Sequence, residues 1–384
     1  MSHVTVRPEV IRWAQERSGV TYEELQKRFP KFGLWESGKA MPTLRQLTDL
    51  AKKTLTPLGY FFLPAPPEDK LPIPDFRTVD NEPVKRPSPN LLETVQTMQR
   101  RQGWMRDYLI EQGEPPLTFV GSVRLTDEVN ATAVRMRELL GVSDDWAQHH
   151  TTWTAALSAL CRAVDKAGVI VAINSVVGNN SHRKLETNEF RGFVLSDEYA
   201  PLVFINGADA KAGQMFTLAH EVAHLFIGKG GVFNFRDFLP VDNAVEQFCN
   251  RVAAEFLVPE RELSSFWAEA KGATEPFQVL ARRFKVSPIV AARRALDLNL
   301  IGKTAFFDFY REYQEDERRQ RSTKAGSGDF YATQNFRIGR RFAAAVVRAS
   351  KEGRLLYSEA YHLTGLYGKT FDRYAEKFGA RFNL

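Results

Sequence analysis

Residues 216–226 read Phe-Thr-Leu-Ala-His-Glu-Val-Ala-His-Leu-Phe and contain the pattern H-E-x-x-H. Apart from His220, Glu221 and His224, every residue from 218 to 226 is apolar, which predicts a buried helix carrying three polar groups into the interior. Such groups are costly there unless something binds them. Side chains at i and i+4 share one helix face, about 5–6 Å apart at Cβ. That spacing lets two imidazoles bind one tetrahedral Zn²⁺, with Glu221 placed to take a proton from water at the metal.

The plain alternative is a pair of histidines satisfied inside a hydrophobic core. At this composition the pattern arises by chance in roughly one chain in a hundred of this length, so a third ligand is needed to strengthen the metal hypothesis. Residues 245–259 have the periodicity of a helix and carry Glu246 and Glu255, and both glutamates are candidates. Cys249 lies on the same helix, either near the metal or as a small buried side chain.

Length and composition set broad limits. The 384 residues suffice for two or three domains, and the net charge of +6 permits contact with nucleic acid without requiring it. No apolar run approaches the ~18 residues of a membrane span. No signal-peptide segment precedes the first charged residues. Cys161 and Cys249 are far apart and form no C-x-x-C motif, so we expect a cytoplasmic protein with reduced thiols.

The first 60 residues predict a small helical bundle. The pattern favours helices over 9–17, 22–28 and 44–53, with Thr21 and Thr43 as N-caps. The segment resembles the helix-turn-helix of the Xre/Cro-like repressor family. The matching residues are Gly19-Val20-Thr21, Glu24-Leu25, Trp35-Glu36, Gly38-Lys39, Pro42-Thr43-Leu44 and Leu47.

This resemblance has one departure, which bears on DNA binding. The stretch from Leu25 to Glu36 is about four residues shorter than usual, roughly one helical turn, and Pro30 falls where the recognition helix should begin. A shorter helix presents fewer side chains to base edges. The segment is therefore either a DNA-binding module or a docking domain that has kept the fold and lost the readout.

Nine prolines between positions 57 and 89 predict an extended connector, interrupted by the apolar patch 58–63, which we expect to pack on a neighbouring domain. Three helices and three short strands then precede the H-E-x-x-H helix, an order typical of a small metalloprotease core. Residues 188–193 are the candidate exposed edge strand for an extended peptide substrate. The predicted helices cover 90–112, 127–140 and 154–167, and the strands 169–173, 190–195 and 202–205.

A second helix-turn-helix pattern occupies residues 276–301. Ser287 is the predicted N-cap and Pro288 the first residue of its second helix, which carries Arg293 and Arg294. This segment either docks on the core or contacts DNA. Further on, residues 311–324 are densely charged and 325–329 predict a flexible break. From Phe330 the chain is helical and basic, which suits a solvated face or an acidic partner.

Several spaced blocks between about residues 120 and 300 resemble the ImmA/IrrE metallopeptidase family. The resemblance implies Zn²⁺ bound by His220, His224 and Glu246, with Glu221 as general base. It also implies a protein substrate, since relatives cleave Xre-type repressors in phage-element or stress-response regulation. The blocks are Phe190-Arg191-Gly192-Phe193-Val194-Leu195, Ala200-Pro201-Leu202-Val203-Phe204-Ile205-Asn206, Phe216-Thr217-Leu218-Ala219-His220-Glu221 with His224, and Glu246, Asn250, Ala253, Phe256-Leu257 and Pro259.

We therefore expect an α+β protein with a small zincin-like core, a short sheet plus zinc helices, flanked by helical terminal domains. The alternative function is a DNA-binding regulator, or an antitoxin-like partner of a PIN-type nuclease toxin, in which zinc is structural or sensory. The expected segments are a helix-turn-helix (1–60), a Pro-rich connector (61–90), the zinc metallopeptidase domain (91–274), a second helix-turn-helix-like segment (275–302), and a charged linker with a C-terminal helical region (303–384).

Overall fold

The chain divides by its internal contacts into two compact units, residues 1–72 with 84–96 and residues 73–83 with 97–384. The boundaries of the five expected segments stay predictions, and the expected flexible break at 325–329 lies outside the described residues. No helix in the described part of the chain is both long and apolar enough to span a bilayer. The computed structural model describes residues 3–68, 70–73, 78–79, 82–83, 86–233, 243–315 and 330–382.

The described residues of the first unit form four helices and a 3-10 turn, together with the first turns of a longer helix that begins at Pro89 and continues into the second unit. The three predicted helices are confirmed, and both predicted caps form: Thr21 accepts from the Glu24 N–H, and Thr43 makes a full capping box with Gln46. These caps satisfy amide groups that the first turn of a helix leaves unpaired. The elements are α1 (Pro8–Ser18), α2 (Tyr22–Arg28), α3 (Phe32–Glu36), α4 (Leu44–Lys53) and the 3-10 turn Leu58–Phe62.

Helix α3 is only five residues long and gives its large side chains to the core. Phe32 and Trp35 are buried, and they share a hydrophobic cluster with Phe61 of the 3-10 turn. The apolar patch at 58–63 therefore extends the core of the N-terminal helices. After it, Thr78–Val79 and Glu82–Pro83 form a short antiparallel pair, β1 and β2, within the stretch predicted as an extended connector.

The second unit is built around a four-stranded sheet and a set of helices, so the predicted α+β class is confirmed. The strands are β3 (Ile170–Asn174), β4 (Val176–Val177), β5 (Asn180–Lys184), β6 (Gly192–Leu195), β7 (Leu202–Asn206) and β8 (Gly231–Phe233). The helices are α5 (Pro89–Glu111), α6 (Val129–Leu140), α7 (Trp153–Lys166), α8 (Lys211–Ile227), α9 (Ala244–Leu257), α10 (Glu260–Ala270), α11 (Pro276–Phe284), α12 (Pro288–Asp297), α13 (Lys303–Glu315), α14 (Phe330–Ile338), α15 (Arg340–Lys351), α16 (Tyr357–Thr364) and α17 (Lys369–Phe382).

The main sheet has the order β3-β7-β6-β8, and β4 pairs with β5 in a separate hairpin. Strand β3 runs parallel to β7, and the other two pairings are antiparallel. The prediction of an exposed edge at residues 188–193 is wrong. Residues 188–191 are not in a strand, and β6 pairs with β7 on one side and β8 on the other. The prediction failed because β8 is a three-residue run after a glycine, too short to give a strand signal.

Alternation along β6 and β7 separates two packed faces of the sheet. Val194, Val203 and Ile205 join side chains of α8 and α9 in the main hydrophobic core. On the opposite face Phe193 and Phe204 stack with their ring centroids 4.9 Å apart. Gly192 lies on the same face of the sheet as Val194, so the position that a side chain of residue 192 would occupy faces α8.

Arg101, on α5, joins the C-terminal helices to the rest of the unit. It is buried, and its guanidinium donates to the carbonyls of Arg337 and Leu363 at 2.9 and 2.8 Å. These carbonyls lie at the C-terminal ends of α14 and α16, where a positive charge is favoured. Part of the basic C-terminal stretch is likewise engaged within the unit, since Arg337 itself donates to Asn179 at 3.1 Å.

Candidate metal centre

Helix α8 carries the H-E-x-x-H pattern through the middle of the core, as predicted. His220, Glu221 and His224 are all fully buried, with the apolar side chains of the helix around them. The helix ends at Gly228, whose positive φ of 75° lets its N–H bond back to the last turn. The polar groups are therefore held at a fixed depth on a helix whose residues from Gln214 to Phe226 are all buried.

The two imidazoles point at the same place. Their Nε2 atoms are 2.8 Å apart, and their ring centroids are 4.6 Å apart. This is the arrangement that the i, i+4 spacing predicts for two ligands of one ion.

Glu246 completes the group from the first turn of α9. Asn243 caps that helix by accepting from the Val245 N–H at 2.9 Å. The Glu246 carboxylate oxygens lie 3.4 Å from the Nε2 atom of His220 and 3.2 Å from that of His224. Ligand atoms of the three residues all lie within 4.8 Å of one another, and this buried group could hold a metal ion.

Glu255, the other candidate glutamate, has a different role. Its carboxylate forms a buried ion pair with Arg294 and accepts from the Glu260 N–H at 3.2 Å. Arg294 also donates to the Val258 carbonyl at 3.1 Å. A carboxylate engaged in this way is a structural link between α9 and α12, and an arginine so enclosed is not presented to DNA. These contacts favour the docking interpretation of the second helix-turn-helix pattern, in which Ser287 does cap α12.

The carboxyl group of Glu221 lies beside His220, His224 and Glu246 and makes no hydrogen bond with the described residues. Both carboxylate oxygens are buried and have no hydrogen-bond partner among the described residues. Burial, together with the nearby charge of Glu246, raises the pKa of Glu221 well above its ordinary value. An unpaired carboxyl of this kind is costly to a fold, which points to a role with a bound water, ion or substrate.

The charges around the pair of imidazoles suit a metal. Burial lowers the pKa of His220 to about 4, although the nearby side chains of Glu246 and Asn250 oppose the shift. The neutral imidazole, which is the metal-binding form, is therefore favoured. For Glu246, burial alone would raise the pKa, but its hydrogen bonds to the two histidines outweigh burial and lower it.

Two further residues shape the site. From the sequence alone, Asn250 has no role of its own, and Gly192 is included only as part of the candidate edge strand 188–193. Asn250, one turn after Glu246, lies near the His220 side chain, and its buried Oδ1 has no hydrogen-bond partner among the described residues. Gly192 allows β6 to approach α8, because a Cβ there would lie 2.5 Å from Cγ2 of Thr217 and 3.1 Å from Oε1 of Glu221. Both residues lie in the blocks that carry the family resemblance, which is the signal that could have identified them.

Cys249 does not join the group that could hold a metal among the described residues. Its side chain is fully buried, and burial raises the pKa of the thiol well above its ordinary value. A protonated buried thiol behaves as a small apolar side chain, which is the plainer of the two interpretations.

Comparison with protein families gives two matches. Residues 164–296 match the IrrE N-terminal-like domain, a peptidase family, and this span includes all four residues of the group around Glu221. Residues 338–377 match a domain of unknown function (DUF8813), which covers α15, α16 and most of α17. No curated protein matches the chain.

Proposed function

We propose, on the premise that residues 164–296 form a metallopeptidase domain of the ImmA/IrrE family, that this protein is a zinc-dependent endopeptidase acting on a protein partner. One observation carries the proposal. The side chains of His220, His224 and Glu246 converge in a buried space, and the unpaired carboxyl of Glu221 lies beside them.

The donor set fits zinc in kind and in spacing. Two imidazole nitrogens and one carboxylate oxygen are a known ligand set for catalytic zinc, which leaves one position for water or substrate. Bonds near 2.0–2.1 Å in a tetrahedron separate the ligand atoms by about 3.3 Å. The two Nε2 atoms are 2.8 Å apart, and each carboxylate oxygen of Glu246 faces one imidazole, with Oε2 at 3.4 Å from His220 and Oε1 at 3.2 Å from His224. A small rotation of the carboxylate would therefore bring one oxygen within reach of an ion held by both histidines.

The role of each residue follows from its surroundings. When bound, zinc would polarise the peptide carbonyl and make water more acidic. Glu221 would accept the proton of the attacking water on a carboxylate oxygen and later pass it to the departing amide nitrogen. Its raised pKa suits both steps, because the group must hold the proton between them. Asn250 lies near His220 with an unpartnered Oδ1, and it would keep the ring in its ligating orientation by accepting a hydrogen bond from it.

The substrate is proposed to bind in an extended form along β8. This strand is an edge of the described sheet, and it pairs with β6 at Gly192, next to Glu221. An edge strand can hold a peptide by main-chain hydrogen bonds. We propose an Xre-type repressor as the partner, because the family resemblance implies such substrates. A repressor acts on DNA inside the cell, so we also propose that the peptidase is cytoplasmic.

Glu221→Gln is the test of this mechanism. The amide keeps the size of the carboxyl but cannot take the proton, so we expect normal zinc content with loss of cleavage. Zinc would be measured by elemental analysis, and cleavage by incubation with the Xre-type repressors encoded near this gene. An active Glu221→Gln protein would show that another residue is the base, and a wild-type protein that binds no zinc would refute the metal site.

The second candidate is a regulator or an antitoxin-like partner of a PIN-type nuclease toxin, with a structural or sensory metal. Full burial of both histidines, and near-full burial of Glu246, favours it, since structural ions are usually enclosed. This candidate predicts that zinc removal lowers stability in the wild type and in Glu221→Gln alike, and that neither protein cleaves a repressor. Co-purification of this protein with a toxin encoded by a neighbouring gene would support the second candidate further.

A further inference from the structure

A cleft of about 170 Å³ lies against the N-terminal half of α8, close to the candidate metal centre. It is much smaller than the roughly 300–1,000 Å³ of pockets that take a whole small molecule, so it has room for a single side chain. Its walls come from separate parts of the chain. The lining includes Arg191, Asp209, Phe216, Thr217, Tyr310 and Tyr313.

The cleft ends about one helical turn from the candidate base. Thr217 lines it and lies one i, i+4 step before Glu221, so both side chains occupy the same face of α8. Gly192 marks the junction, since a Cβ there would meet both Thr217 and Glu221. A peptide whose scissile bond lies over Glu221 would therefore bring a neighbouring side chain to this cleft.

One wall of the cleft comes from outside the matched peptidase domain. Tyr310 and Tyr313 lie on α13, whereas the match ends at residue 296. The helix is fixed in place by aromatic packing, with the rings of Phe309 and Phe277 4.6 Å apart and Phe306 buried in the same cluster. This wall of the cleft is therefore held by packed side chains, and it comes from a helix that lies outside the matched peptidase domain.

The chemistry of the lining indicates what the cleft would take. Two tyrosine rings and Phe216 favour an aromatic side chain. Arg191 and Asp209 form an ion pair at 3.5 Å, so the lining carries no net charge to attract an acidic or basic side chain. The Arg191 side chain is 30% exposed, and among the described residues only its Nη1 atom has a side-chain partner, Asp209, which leaves guanidinium donors for an acceptor on the incoming side chain.

We propose that this cleft is a specificity subsite of the peptidase that accepts an aromatic side chain of the substrate, with tyrosine preferred because its hydroxyl can accept from Arg191. The proposal rests on the proposed function, since it assumes that a peptide occupies the site. It assigns substrate selection to α13, an element beyond the matched peptidase domain.

The test measures peptide binding without turnover. Zinc-loaded Glu221→Gln protein would be immobilised and exposed to a random peptide library, and the bound peptides would be sequenced. We expect tyrosine, and then phenylalanine, to be enriched at one position. Adding Tyr310→Ala and Tyr313→Ala should reduce that enrichment about tenfold or more, the effect of losing one well-buried side chain contact. Arg191→Gln should remove the preference for tyrosine over phenylalanine.

Two further variants keep the outcome clear. Phe307→Ala is the matched control, because Phe307 lies on α13 but is 54% exposed and does not line the cleft. Its peptide preference should equal that of the parent. Ala212→Leu fills the cleft from the α8 side and should lose the aromatic preference without altering α13. Circular dichroism would verify that each variant is folded.

The proposal is overturned if no aromatic position is enriched in the parent, or if Tyr310→Ala with Tyr313→Ala and Ala212→Leu leave the preference intact. Cleavage by the wild-type protein is measured separately. A protein that binds aromatic peptides through this cleft but never cleaves them would refute the proposed function while supporting the subsite. A protein that cleaves its substrate but shows no aromatic preference would support the proposed function and refute the subsite.

Discussion

Gly192 lies directly against Glu221, and a Cβ on Gly192 would come within 3.1 Å of the Glu221 carboxylate. The same Cβ would lie 2.9 Å from the backbone oxygen of Phe204 and 2.5 Å from Cγ2 of Thr217. The approach of β6 to α8 therefore depends on the absence of a side chain at this position. This contact places the sheet beside the group proposed to move the proton.

Gly192→Ala should consequently disturb both stability and the site. Because backbone cannot yield as a flexible side chain does, we expect a loss of about 1–3 kcal/mol in the free energy of unfolding and a displaced Glu221. Chemical denaturation and the repressor cleavage assay would measure the two effects. Gly103→Ala is the control, since a Cβ on Gly103 meets nothing within 4 Å and alanine favours a helix. Equal stability of the two variants would contradict the close approach.

Glu246 and Glu255 lie on one helix and should respond differently to the same change. Glu246→Gln removes a proposed ligand, so we expect most of the bound zinc to be lost. Glu255→Gln leaves Arg294 buried without its partner, which costs about 3–5 kcal/mol in unfolding free energy when such a pair is broken. The folded fraction of Glu255→Gln should keep its zinc.

Zinc analysis of both variants, together with denaturation of each apo protein, separates these effects. Retention of full zinc by Glu246→Gln would exclude it as a ligand. Loss of zinc by well-folded Glu255→Gln would mean that the wrong glutamate has been assigned.

Asp165 should give the protein a pH-dependent stability. Burial raises its pKa to about 7, although Arg340 and Arg341 oppose the shift, and one carboxylate oxygen is buried without a hydrogen-bond partner among the described residues. Because the pKa of Asp165 is higher in the folded state than in the unfolded state, protonation of this group stabilises the fold. The stabilisation is complete below the unfolded-state pKa of 3.8 and is lost as the pH rises through about 7.

Asp165→Asn removes the ionisation and keeps the shape. The unfolding free energy of the wild type should therefore fall relative to that of Asp165→Asn between about pH 4 and 7, as measured by denaturation at several pH values. The exposed Asp107 provides a control, because Asp107→Asn removes one negative charge from the surface of the same unit. A constant difference between wild type and Asp165→Asn across this range would contradict the raised pKa.

The N-terminal unit should bind DNA weakly and with little sequence preference. Helix α3 has five residues, and Phe32 and Trp35 are used in the core. Few side chains remain to reach base edges, so any binding should come from phosphate contacts and fall steeply with salt. A gel shift on the promoter of its own gene at two salt concentrations tests this. Tight binding with one preferred sequence would restore the interpretation as a repressor-like module.

Much of the site could be predicted because its signals are local. His220 and His224 lie on one helix at a spacing that fixes their geometry, and the helix periodicity of residues 245–259 placed both glutamates correctly on α9. The α+β class followed from short apolar runs before a long apolar helix. Each of these inferences needs only neighbours along the chain, where periodicity and capping carry the information.

The remaining features depend on contacts between distant segments. The residues alone could not choose between Glu246 and Glu255, since the choice is made by Arg294, which engages one of them from another helix. The edge of the sheet was misplaced because β8 returns to pair with β6 from beyond α8. The cleft beside Thr217 could not be predicted either, because α13 supplies one of its walls.

The buried guanidinium of Arg101 sets a limit on how this protein can be shortened. Its acceptors are main-chain oxygens near the ends of α14 and α16, far beyond the matched peptidase domain. A fragment that stopped after residue 315 would lack these acceptors and also Phe342, whose ring lies under the guanidinium, and would uncover the apolar side chains of α5 that pack on the C-terminal helices, such as Trp104. Expression trials that aim at a shorter fragment should therefore retain the C-terminal helices to residue 382.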